Sequence, residues 1–327
     1  MNRRDFAGAV GAPLMLAAAA SAWQTEPPVK RNGRIKQGVT SGVFRGMNFE
    51  DTCREAARLG IKGYDFIDDP ADWPTLKKYG LQLSMYRLDY PRWANGANGR
   101  GAMPAGRGGA RGASGRGARG ASGRGGGNAN PPGWGAISHK EATGDYLKAL
   151  HTAIDIAAAN DIPNIILLAG GRAPDLNEEQ GAENAIHFIN QAKAHAEDRN
   201  ITLCTELISS NGGPTAYMFD HMAWGLKVVK EVNSPRAKIL YDIYHAQIMD
   251  GNIVKTIRDN IQWIGHFHTG GVPGRHELDE TQELNWRFIA QSILDLKYTG
   301  YISHEWSPTP GNDPVASLNK VIGIIDV

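Results

Sequence analysis

Between residues 38 and 306 short apolar runs alternate with longer segments of helical period, and this alternation constrains the fold more than any other property of the chain. The runs fall at 38–44, 61–67, 81–87, 164–169, 201–207, 238–243, 263–268 and 300–306. Helix-period segments stand between them, among others at 49–59, 72–79, 140–160, 178–197 and 285–296. A tight turn cannot join two parallel strands; they need a crossover, usually a helix that packs its apolar stripe on the sheet. Eight such units in one series predict an α/β protein closed into a (β/α)8 TIM barrel rather than an open, doubly wound sheet. The chain has 327 residues, of which 35–327 are assigned to a single barrel domain. With its insertion set aside, that span approaches the ~250 residues usual for this architecture.

Three segments break the pattern. Residues 1–22 open with Asn2, Arg3, Arg4, Asp5 and Phe6, continue as an Ala-rich apolar run and end at Ala20, Ser21 and Ala22. Paired arginines, an apolar stretch and a small-residue end have the form of a twin-arginine export signal with its cleavage site. Glycine and proline interrupt the run, and it is too short for a stable membrane anchor. The mature chain is therefore expected in the periplasm or outside the cell. Residues 23–34 read as a polar linker. Residues 95–130, in the third strand-to-helix connection, are mostly Gly, Ala and Arg, and the eight residues from Arg111 recur from Arg119 with one change. So little apolar surface cannot offset the entropy of ordering, and disorder is predicted there.

Lys and Arg number 35 against 34 Asp and Glu, so no net field steers the molecule toward nucleic acid or anionic membranes. Arg100, Arg107, Arg111, Arg116, Arg119 and Arg124 all lie in the 95–130 insertion, which has no acid, and the remainder of the chain is net acidic. Arg-Gly segments do bind nucleic acid in some proteins. One that interrupts a barrel loop of an exported chain reads instead as a tolerated repeat expansion. The partner expected is a small molecule, with no nucleic acid; a homo-oligomer is left open. Cys53 and Cys204 are far apart and lack C-x-x-C spacing, so a disulfide framework or zinc knuckle is not indicated. Both sit in apolar elements and are expected as buried free thiols.

Chemistry concentrates at the ends of the last four strands. The fifth ends Cys204, Thr205, Glu206, Leu207; the sixth Tyr241, Asp242, Ile243; the seventh His266, Phe267, His268; the eighth Ser303, His304, Glu305, Trp306. An acid in an apolar strand is costly to bury unless it is paired or bound to a cation. In these barrels the carboxyl ends of the strands converge on the active site. Glu206, Asp242, His268 and Glu305 are thus candidate ligands of one divalent cation, with a network of structural ion pairs as the alternative. Three carboxylates with one imidazole suit Mn2+, Mg2+ or Co2+ better than Zn2+. Strand alternation puts Ser303 and Glu305 on the inner face and turns His304 to the helix layer. His266 shares the face of His268 but lies deeper, as its support or as a satisfied core histidine. His245, three residues beyond Asp242, is expected on the loop above the strand, in reach of a substrate oxygen. Arg275, in a Pro-Gly-Arg turn, could take a carboxylate or terminal hydroxyl in bidentate fashion or pair with Glu277. His276 beside it is a further substrate-binding candidate.

Several stretches resemble hydroxypyruvate isomerases in content and spacing. They are the run from Tyr241 to Met249, Ile264-Gly265-His266, the run from Val272 to Glu277, and Leu284-Asn285-Trp286-Arg287-Phe288. Gly133-Trp134-Gly135, Leu168-Ala169-Gly170-Gly171 and Glu206 with its following serines extend the likeness, which covers most of 130–310 and is faint before residue 90. The resemblance implies a metal held by Glu206, Asp242, His268 and Glu305, with Glu206 and Glu305 also exchanging the substrate proton as acid and base. It departs at His268, where hydroxypyruvate isomerases usually carry Gln and keto-sugar 3-epimerases carry His. Asp65 departs too, standing where relatives commonly have Glu, and is expected as no more than structural support. The leading expectation is a metal-dependent isomerase acting on hydroxypyruvate or a keto sugar through an enediolate. A 3-epimerase, a lyase or dehydratase beginning with the same proton abstraction, and a non-catalytic sugar- or metal-binding barrel are the alternatives. A related zinc endonuclease chemistry would need further His ligands on the earlier strand ends, where none occurs.

Overall fold

A computed structural model describes residues 27–88, 136–140, 143–210 and 216–327. The expected export signal at 1–22, the first four residues of the expected linker (23–26), the insertion at 95–130 and Gly133-Trp134-Gly135 lie outside the described residues. Eight parallel strands form a closed barrel in sequence order. They are β1 (Lys36–Thr40), β2 (Gly63–Asp65), β3 (Gln82–Arg87), β4 (Asn164–Leu167), β5 (Thr202–Glu206), β6 (Ala237–Asp242), β7 (Ile264–Thr269) and β8 (Tyr301–His304). Pairing of β1 with β8, Gly38 opposite Ser303, closes the ring. The outer layer comprises α1 (Phe49–Leu59), α2 (Trp73–Lys78), α3 (Thr143–Ala159), α4 (Glu178–Asp198), α5 (Met222–Val232), α6 (Ile243–Met249), α7 (Ile253–Asn260), α8 (Trp286–Asp295) and α9 (Pro314–Ile325).

The helices form where local signals and a buried stripe agree. In α1 the Asn48 side chain accepts from the Asp51 amide, Gly60 ends the helix at φ 97°, and Thr52, Cys53, Ala56 and Leu59 face inward. In α4 Asn177 and Gln180 make a reciprocal capping box, and Phe188, fully buried, stacks on Tyr146. Burying such an aromatic contributes about 1.5–3 kcal/mol. Cys53 and Cys204 are both free and buried. The first strand differs from its expected span: it stops at Thr40, and Ser41–Phe44 make a 3-10 turn that buries Val43 and Phe44. Among the described residues, no helix is long and apolar enough to cross a membrane.

Inside the barrel, Met85, Ile166, Cys204 and Leu240 make a small apolar cluster separate from the main strand–helix core. Cys204 and Glu206 share a strand face, as do Leu240 and Asp242, so each acid stands one pleat above an apolar residue, toward the carboxyl end. Glycine makes room for polar side chains on the opposite wall. A Cβ at Gly38 would fall 2.1 Å from Ser303 Oγ, and one at Gly63 would fall 2.3 Å from Ser84 Oγ. Any larger residue there would displace the hydroxyls that face the deep histidine and acid of that wall.

Candidate functional site

Glu206 and Asp242 are the last residues of β5 and β6, His268 is the last but one of β7, and Glu305 follows β8 directly. Neighbouring register, with Asp242 opposite His268 and His268 opposite Ser303, sets them side by side on the inner wall. One ligand-capable atom from each of the four lies within 4.8 Å of all the others. His268 Nδ1 is 2.8 Å from Glu305 Oε2 and 3.5 Å from Glu206 Oε1. Buried as it is, that nitrogen makes no aligned hydrogen bond. A ring nitrogen aimed between two carboxylates, near both and aligned with neither, suits coordination of a shared cation better than a pairwise hydrogen bond. The donor set, three carboxylates and an imidazole, fits a hard or borderline divalent ion. The chain thus has a possible metal-binding cluster of acidic and histidine side chains.

Burial makes every charge in the cluster costly, and neighbours decide how each group responds. For Glu206 burial dominates: with Glu305 and Asp242 adding repulsion, its carboxyl is pushed up to about 7 against the pull of His268. Glu305 is only partly buried; loss of water opposes its charge, but His268 and Arg275 outweigh that and hold its carboxyl down to about 2. Burial also opposes a charge on His268, yet Glu305, Asp65 and Glu206 overcome it and raise the imidazole well above its usual value. His245 goes the other way, to about 4, chiefly through burial, with the Arg275 charge adding to it.

Arg275 is the permanent cation of the cluster. Its Nη2 donates to Asp242 Oδ2 at 2.6 Å and to Glu305 Oε2 at 2.8 Å, its Nε to the Glu305 carbonyl at 3.0 Å, and its Nη1 lies 2.6 Å from His245 Nε2. The expected alternative, a pair with Glu277, is not formed. Glu277 instead receives Thr309, Asn312 and Ser317, fastening the loop after β7 to the loop after β8 and to the start of α9. His245 belongs to α6, not to a loop, because that helix starts directly from Asp242, which caps it by accepting from the Tyr244 amide. Its Nδ1 meets Ser209 Oγ at 2.8 Å. His276 is not brought to the cluster: its Nδ1 lies 2.8 Å from the Ser307 carbonyl, and the left-handed backbone of Arg275 (φ 57°) sends adjacent side chains apart.

A cavity of about 460 Å3 opens beside the cluster, lined by Thr40, Phe66, Arg87, Arg275 and Trp306, among others, and of the four residues by Glu305. Two residues that sequence reasoning undervalued stand here. Arg87 is half exposed at the rim, paired with Asp68 and set over the Phe66 ring. Asp65 is fully buried beneath His268. An acid in an apolar strand was the available signal for Asp65, as it was for Glu206. His304 bonds Thr269 and Gln37 outside the barrel wall, as the strand alternation predicts.

A closed parallel barrel with a carboxylate–imidazole cluster at its carboxyl-terminal mouth defines a class of (β/α)8 proteins with a site built for small ligands. Residues 123–321 match the model of the xylose isomerase-like TIM barrel family, and the chain belongs to that family. It is 28% identical over 175 residues to a 2-oxo-tetronate isomerase of Pectobacterium atrosepticum, covering 54% of this chain and 66% of that protein. It is 31% identical over 169 residues to a putative hydroxypyruvate isomerase of Danio rerio, covering 50% of this chain and 61% of that one. These matches span just under two thirds of the relatives' own lengths. A crystal structure titled AP endonuclease, family 2, from Brucella melitensis superposes with a TM-score of 0.67 at 22% identity, over 87% of this chain and 97% of that one, which shows the shared fold.

Proposed function

We propose that the protein is a metal-dependent isomerase of a small hydroxy-carbonyl compound, of the hydroxypyruvate or keto-sugar type. The observation that carries this reading is the convergence of Glu206, at the end of β5, and Glu305, just after β8, on His268 Nδ1, with Glu305 lining a cavity of about 460 Å3. Glu206, Asp242, His268 and Glu305 would hold the ion. A divalent cation bound there supplies a Lewis acid for the carbonyl and hydroxyl oxygens of a substrate and lowers the cost of an enediolate. One glutamate removes the proton from the carbon beside the carbonyl, and the other returns it to the neighbouring carbon. Arg275 holds Asp242 and Glu305 in place, and His245 presents its ring toward the same end of the barrel. The names of the two isomerase relatives support this class of reaction.

Glu305→Gln keeps the size of the side chain and removes its basicity. Solvent deuterium incorporation into hydroxypyruvate, 2-oxo-tetronate and a panel of keto sugars, each with added Mn2+, is expected to fall by roughly 100-fold or more, since positioned proton transfer contributes about 10²–10⁴ in rate. Exchange at the wild-type rate in this variant would remove the proton-transfer role. One observation favours a second reading, 3-epimerisation of a keto sugar: the seventh strand presents His268 rather than Gln. With a 2-keto sugar as substrate, the position of the incorporated deuterium separates the two, at C1 or C2 for the isomerase and at C3 with inverted configuration for the epimerase. Export through residues 1–22 is part of the same proposal, supported by the paired arginines and the small-residue end.

A further inference from the structure

Beneath the four-residue cluster lies a second group that the proposed proton transfer does not use: Asp65, His266 and His268, all fully buried. Asp65 ends β2. Its Oδ2 lies 2.9 Å from His266 Nε2 and 3.1 Å from His268 Nε2, and Ser84 Oγ donates to its other oxygen. His266 Nε2 is also 3.2 Å from Ser303 Oγ. The two imidazoles meet edge to face, with centroids 5.2 Å apart, and Phe66 packs against His268 from the other side at 5.6 Å and 88°. His268 is thus the one residue shared by both groups. Its Nε2 points down to Asp65 and its Nδ1 up toward Glu206 and Glu305.

We infer that Asp65 is a positioning residue that fixes His268 as an Nδ1 ligand of the cation, an inference that rests on the metal site proposed above. An ionised carboxylate can only accept hydrogen bonds, so the ring nitrogen that faces it must carry a proton. With Nε2 protonated, a neutral His268 has its lone pair on Nδ1, the edge aimed at the carboxylates. Without Asp65 the ring would be free to take either tautomer or to turn about its Cβ–Cγ bond, and both would withdraw that lone pair. His266 and Ser84 hold Asp65 in turn, so the acid itself has no freedom to swing away. The three donors come from β3 and β7, which Asp65 reaches from β2 because the barrel is closed and narrow. Partners of this kind behind a ligating histidine typically govern about 10–100-fold in metal affinity.

The test reads metal binding and ring chemistry, not turnover. In Mg2+-saturated wild-type protein labelled with 15N-histidine, long-range 1H–15N correlation is expected to show His268 with its proton on Nε2 and none on Nδ1. In metal-depleted protein titrated with Mn2+ and followed by the EPR signal of the free ion, Asp65→Ala is expected to weaken binding roughly 10- to 100-fold. Asp65→Asn, whose carbonyl can still accept from both rings while Ser84 turns its hydroxyl, is expected to recover part of that loss. A purely structural role would lower the melting temperature of Asp65→Ala and leave the Mn2+ affinity of its folded fraction unchanged, and that result overturns the inference. So does a proton on His268 Nδ1 in the Mg2+-saturated wild type, a measurement that does not depend on either variant folding. Wild-type protein that binds no Mn2+ would remove the metal site and this inference together, whereas equal binding by wild type and Asp65→Ala would remove the inference alone.

Discussion

Replacing Glu206 by Gln in metal-depleted protein is expected to stabilise the fold above neutral pH even as it abolishes turnover. The carboxyl of Glu206 titrates near 4.5 when exposed and is pushed up to about 7 in the folded barrel, first by burial. As pH rises the unfolded chain releases its proton first, so the folded state is penalised progressively between those two values. The contribution is undiminished below 4.5 and fully lost above 7. Each unit of difference corresponds to about 1.4 kcal/mol, which makes the penalty on the order of 3 kcal/mol at pH 8. Gln has the same shape and no charge to desolvate. With ~2–4 °C of melting temperature per kcal/mol for a domain of this size, the variant should melt roughly 6–12 °C above wild type at pH 8 and close to it at pH 5. Calorimetry after dialysis against a chelator measures both points. Saturating Mn2+ should narrow or reverse the gap, because the wild-type carboxylate then has a cation to face. A variant less stable than wild type at pH 8, or an advantage that persists undiminished at pH 5, would refute the electrostatic account.

Three further outcomes follow from particular contacts. Chelation should lower the melting temperature of the wild type, and Mn2+ at about 100 times its Kd should restore roughly 2.7 kcal/mol; coincident melting curves with and without the ion would argue against a metal site. Four of the five N–H donors of Arg275 are already engaged within the protein, whereas Arg87, paired with Asp68 alone and half exposed at the rim, is the more accessible cation for a substrate carboxylate. Arg87→Met should therefore raise KM for hydroxypyruvate roughly 10-fold, the worth of one charge-assisted hydrogen bond, and leave KM for neutral keto sugars unchanged. His151 and His195 face each other through their Nδ1 atoms at 2.8 Å across α3 and α4, and burial together with the His195 charge lowers the affinity of His151 for a proton. The unfolded chain then binds that proton more readily, so stability should fall as pH drops through about 6.5, and His151→Gln should flatten this slope in urea denaturation curves.

Much of the site was legible before any coordinate. A buried strand is apolar for a physical reason, so an acid inside one, as at Glu206 or Asp242, marks either a partner or a cation. Strand alternation then oriented the rest: Ser303 and Glu305 inward, His304 outward, His266 below His268. Arg275 was found for the same neighbourhood, but its partners were not, because the choice between Glu277, Asp242 and Glu305 depends on how two loops fold over each other. His276 adjoins Arg275 in sequence and yet turns to the Ser307 carbonyl, since one left-handed residue separates their directions.

The sequence by itself determined the order of strands and helices, and with it the set of side chains at the mouth of the barrel. Those features follow from local periodicity, which acts over a few residues at a time. Only the tertiary structure decided that Asp65 on β2 meets His266 and His268 on β7, some two hundred positions away. That contact exists because eight strands close on themselves and bring β2 and β7, with β8 and β1 between them, within hydrogen-bond reach. No pattern along the chain encodes the diameter of the ring.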